Sequence, residues 1–152
     1  MFETIYSQVL VGFLVLAVGF ALLKGDETER LGGAALALIM IAGVATEDGS
    51  SLSFARWAPM AFDIVLLLIF IGLAWHSRKS WPIWAAAFQA LIVTGHVMVA
   101  ANLRPPSDAF AAVNNMANYG LLVSLAVGTF WAWQERRALE QMNSVTGTGP
   151  RP

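Results

Sequence analysis

The chain has 152 residues, 57% of them hydrophobic and only 12% charged, with a formal net charge of −1 and no cysteine. A soluble globule of this size needs a more charged surface, so the composition and a positive mean hydropathy point to an integral membrane protein. The nine Lys and Arg are scattered between apolar runs and form no patch for nucleic acid, and the lack of cysteine excludes disulfides, thiolate nucleophiles, iron–sulfur clusters and Cys-ligated zinc.

Five apolar runs read as membrane spans, each near the roughly 20 residues that a bilayer core requires. The opening MFETIYSQ carries Glu3 and no Lys or Arg, unlike a secretory signal, so the first run is expected to stay in the mature chain. That run, about 6–23, holds Gly12, Ala17, Gly19 and Ala21, small residues expected to let a neighbouring helix approach closely. The second, 31–46, is short and rich in Gly and Ala, which suits the centre of a bundle better than a lipid-facing place. Segment 47–59 is a polar turn and then an amphipathic approach through Phe54 and Trp57. The third span, 60–75, has one interruption, Asp63. The fourth, 82–103, follows His-Ser-Arg-Lys-Ser, with Trp81 at the helix start and Pro82 in the first turn, where a missing N–H costs nothing. Arg104, Pro105 and Pro106 break the chain, Ser107 or Asp108 caps the next helix, and the fifth span covers 110–133.

The expected fold is therefore an all-α polytopic transmembrane helical bundle of five spans. Residues 1–134 form one transmembrane domain. Residues 135–152 are a cytoplasmic tail that starts as a charged helix extension and ends in a polar, partly disordered stretch. Orientation follows from the basic residues. With the N-terminus outside, the inner segments hold Lys24, Arg30, Arg78, Lys79, Arg136, Arg137 and Arg151, and the outer ones only Arg56 and Arg104. The tryptophans agree, with Trp75, Trp81, Trp84, Trp131 and Trp133 at the inner boundary and Trp57 at the outer. Arg78, Lys79, Trp81 and Trp84 form the expected interfacial anchor, and N-out, C-in is the expected topology.

Polar residues inside the spans are the candidate site. Rise per residue puts His96 about 21 Å from Pro82, in the outer third of the membrane, with Asp63, Asn118 and Tyr119 in the same layer. Gln8, Glu47 and Asp48 lie just above it. A carboxylate in hydrocarbon is costly, so Asp63 should face the bundle interior, either in a polar clasp that fixes helix packing or in a proton-responsive or ligand-binding pocket. Gln89 is read as lying in another layer, bonding a backbone carbonyl or Ser124. Haem between His76 and His96 fails because the two lie on opposite sides of the membrane. Zinc on His96, Asp63 and Glu47 has suitable ligand types without a recognisable spacing, and no metal or cofactor is assigned. No catalytic constellation is present, so no catalytic residue is assigned and the chain is read as non-enzymatic.

Ser77, Arg78, Trp81, Pro82, Trp84, Gln89 and His96, with Asp63 and Tyr119, resemble a pattern found in an uncharacterised family of small polytopic bacterial inner-membrane proteins: Ser-Arg, then Trp-Pro-x-Trp, then Gln and His in one helix. The resemblance covers the last three spans and implies an all-helical fold in a bacterial inner membrane. The reading of function is an accessory or structural subunit of a larger membrane complex, with lipid, other membrane subunits or a second copy as partners. Its alternative is a small-ligand or proton-responsive binding or transport protein using the Asp63, His96, Asn118 and Tyr119 pocket.

Overall fold

The computed structural model describes residues 2–49, 52–101, 103 and 107–146, with side chains over 8–43, 57–101, 103 and 108–145. Among the described residues the fold is all-helical and contains no strand. The elements are α1 (Phe2–Lys24), α2 (Glu27–Gly49), α3 (Leu52–Ser77), α4 (Trp81–Ala100) and α5 (Ser107–Thr146). Long uncharged runs favour helix because a helix satisfies every backbone group within its own segment.

The helix ends differ from the expected spans for local reasons. α2 starts four residues before position 31, because Asp26 and Glu29 supply a capped first turn. α3 runs through Pro59, which forfeits one backbone bond without stopping the helix. α5 continues to Thr146, so the tail expected from 135 is helical up to that residue. Residues 147–152 lie outside the described ones, as do the side chains of Glu47, Asp48 and Arg56 and the whole of Arg104.

Each helix packs on its chain neighbours and α1 also packs on α5, so the five close into a ring, with α2 touching α5 across it. The core joins Ala17, Val18 and Ala21 of α1, Leu36 of α2, Leu66 and Phe70 of α3, Trp81 and Ala85 of α4, and Leu121, Leu122 and Leu125 of α5. α2 takes a place in this ring and not the bundle centre expected from its composition. Its small residues pack inward while Leu31, Leu38 and Ile41 are exposed. Gly12 and Gly19 face open space, and the close approach of α1 to α2 is made by Ala21 and Gly33 instead.

Trp81 organises one end of the ring. Its indole packs edge-on to Phe70, with ring centroids 6.2 Å apart. A Cβ at Gly32 of α2 would lie 2.7 Å from its ring, and one at Gly128 of α5 only 2.3 Å from it. These two glycines therefore make room for the indole. Gly128→Ala is expected to lower stability by about 1–3 kcal/mol through overpacking, read as a drop in thermal midpoint in detergent. Gly12→Ala, into open space, is the control, and an equal response from both would contradict this packing.

Three helices contain segments long and apolar enough to cross a membrane: Trp57–Ser77, Trp81–Ala100 and Asp108–Val145. The apolar part of α1 described here, Gln8–Lys24, is shorter. Leu16, Leu23, Leu68, Trp75 and Met116 point outward from the ring and are largely exposed. An apolar surface this broad suits lipid, since soluble monomers seldom expose one.

Candidate functional site

Two polar clusters tie the helices together. The first centres on Asp63, about 21 Å along α3 from its end at Ser77. His96 of α4 places Nε2 2.9 Å from Asp63 Oδ2. Gln89, about two turns nearer the start of α4, is 1% exposed. Its Nε2 donates to Asp63 Oδ1 at 2.8 Å and to the Asp63 carbonyl at 3.2 Å. Each carboxylate oxygen thus accepts from one α4 side chain.

Gln89 bonds a backbone carbonyl as expected, that of Asp63, but does not lie in the separate layer expected for it. It belongs to the Asp63 layer because a Gln side chain reaches several ångströms along a helix, which residue counting ignores. Ser124, its other expected partner, donates to the Gly120 carbonyl of its own helix. Asn118 shares a cavity with Asp63 and Gln89, although its Nδ2 donates to the Asn114 carbonyl. Tyr119 turns to α1, its ring 6.2 Å from that of Phe13.

That cavity, about 150 Å³, is walled by side chains from all five helices, among them Leu14, Leu36, Asp63, Gln89 and Asn118. It has room for several waters. The other described lining side chains are aliphatic or thioether, so polar chemistry in it falls to Asp63, Gln89 and Asn118. His96, roughly a third exposed, connects the same carboxylate to the outside of the bundle.

The second cluster lies at the opposite end, and the sequence reading did not find it. Glu29 of α2 is fully buried. Its Oε1 accepts from Trp81 Nε1 at 2.8 Å and Lys79 Nζ at 2.9 Å, and its Oε2 accepts from Lys79 Nζ at 2.9 Å and the Asp26 backbone N–H at 3.0 Å. Asp26 Oδ2 accepts from Lys79 Nζ at 3.2 Å, and its Oδ1 forms an ion pair with Arg136, 3.1 Å from Nε, without hydrogen-bond geometry. Arg136 also donates through Nη2 to the Lys24 carbonyl at the end of α1. The available signal was Asp26-x-x-Glu29, a capping-box spacing.

Two of the expected anchor residues therefore face inward. Trp81 is 5% exposed and Lys79 is ion-paired, because a buried carboxylate requires their donors. Trp84 is exposed, as is Arg78, whose φ of 53° turns the chain between α3 and α4. A positive φ is sterically costly for a residue with a Cβ.

Burial acts to lower the Lys79 pKa, but hydrogen bonds and charge from Glu29 and Asp26 outweigh it and hold the pKa above the ordinary 10.5. Its contribution to stability is therefore complete below 10.5 and is lost as pH rises through the folded-state value. Thermal midpoints should fall above pH 10.5, and Lys79→Met should abolish that alkaline fall. An undiminished fall in the variant would contradict the assignment.

Among the described residues no three His, Cys, Asp or Glu side chains converge as a metal site. Comparisons with family models, curated proteins and solved structures return no match to this chain. Fold and composition define the class: an all-helical protein with three helices fit to cross a membrane.

Proposed function

We propose that this chain is a small multi-pass protein of a bacterial inner membrane, with five spans and N-out, C-in topology, whose Asp63 centre is a proton-responsive binding site. The observation carrying this reading is that both Asp63 oxygens accept from α4 side chains at the wall of a cavity lined by all five helices. A proton added at His96 would set a full positive charge against Asp63 Oδ2 and tighten the link between α3 and α4. The titratable partner from α4 is His96. Tyr119 of α5 is turned toward Phe13, and the other described residues lining the cavity are not titratable.

Hydrogen exchange of protein in lipid nanodiscs, compared at about pH 5 and pH 8, the range in which histidine changes charge, tests this. Protection in α3 and α4 around Asp63 and His96, corrected for the intrinsic pH dependence of amide exchange, should be greater at the acidic end, where a charged histidine holds the Asp63 carboxylate, and His96→Gln should remove the difference. Identical protection at both pH values sinks the proposal. A reporter fused after Trp133 should be cytoplasmic; a periplasmic signal would reverse the topology.

A second reading, an accessory subunit, is favoured by the far part of α5. There Leu139, Met142 and Val145 recur every three residues and are exposed, which suits a partner helix. Migration of the protein alone after mild extraction from its native membrane would remove that reading.

A further inference from the structure

Between α4 and α5, at the Lys79 end of the ring, lies an open groove of about 420 Å³. We propose that it seats one phospholipid with a primary-amine headgroup, the ammonium on Glu135, the phosphate beside Ser80 and an acyl chain along the apolar wall.

Three observations carry this. Polarity is divided along the groove: Lys79, Ser80 and Glu135 lie at its end, while Trp84, Val127 and Gly128 line the part between the apolar segments of α4 and α5, where the one polar side chain, Ser124, spends its hydroxyl on the Gly120 carbonyl. An amphiphile matches that division, whereas a wholly polar or wholly apolar ligand does not. Trp84 and Trp131, 62% and 72% exposed, stand along the groove. Such indoles place an apolar body in hydrocarbon and an N–H at headgroup level.

Charge selects the headgroup. Lys79 already serves Glu29 and Asp26, so it adds little net attraction for an anion. Glu135 is exposed and has no ion pair among the described residues. It disfavours a purely anionic lipid and accepts from an ammonium. A choline headgroup brings the charge without an N–H to donate. The groove floor is also firm, because the Trp81 ring packs directly against Gly128.

Native mass spectrometry of delipidated protein, offered phosphatidylethanolamine, phosphatidylcholine and phosphatidylglycerol of equal chain length, tests the site. Wild type should retain the ethanolamine lipid about tenfold better than the choline lipid, the scale of one charge-assisted hydrogen bond. Glu135→Gln should bring the two to parity, and Val127→Trp, which fills the groove, should lose both. Parity in wild type, preference for the glycerol lipid, or a second copy of the chain displaced by Val127→Trp would each overturn the proposal. Glu135 is exposed and makes no hydrogen bond or ion pair among the described residues, so its variant keeps the fold and the preference measurement decides by itself.

Discussion

Lys79→Met is expected to destabilise the bundle by about 3–5 kcal/mol, because removing one partner leaves the other charge buried and unpaired. Glu29 is that charge: it is fully enclosed, and Lys79 supplies a hydrogen bond to each of its oxygens. The remaining donors, Trp81 Nε1 and the Asp26 N–H, carry no formal charge. The double variant Lys79→Met with Glu29→Gln should recover most of the loss. It removes the unpaired charge, and the Gln carbonyl can still accept from the indole. Unfolding in mixed micelles measures both, with Lys24→Met, an exposed lysine, as reference. A loss no larger than the reference, within about 0.5 kcal/mol, would show that Glu29 is not held as described.

Asp63 gives the second large effect, and two substitutions separate its roles. Asp63→Ala removes the acceptor of one Gln89 bond and the partner of His96. Leaving a buried amide short of a partner costs about 1–3 kcal/mol, and the pH response of α3 and α4 should vanish as well. Asp63→Asn keeps a carbonyl for Gln89 but turns an NH₂ toward His96, which then must accept at Nε2. Stability near wild type with no pH response is the expected result. If Asp63→Asn kept the full pH difference in hydrogen exchange, the carboxylate would be no part of the switch.

The helices were legible because uncharged runs of this length leave the backbone few alternatives, and Asp63 stood out as the one charge in an aliphatic run. His96 was placed near it by rise per residue alone, and the structure sets them 2.9 Å apart. Gln89 was misplaced because counting treats side chains as points and helices as parallel to the membrane normal. Glu29 was missed for a different reason. In the sequence it sits in Lys-Gly-Asp-Glu-Thr-Glu-Arg, a polar stretch like any solvated turn. Its burial depends on Lys79 and Trp81, 50 and 52 residues away. Trp81 shows the same limit: a tryptophan before a proline at a helix start reads as an interfacial belt residue, and only the facing Gly32 and Gly128 reveal that it belongs inside.

The indole held between those two glycines has a mechanical consequence. α2 and α5 cannot slide past each other at that end without the Trp81 ring striking backbone, and the Glu29 and Arg136 contacts fasten the same end to α1 and α4. That end is therefore the fixed end of the bundle. Farther along the bundle the link between α3 and α4 is Asp63 with Gln89 and His96, so a change at that one carboxylate reaches both helices.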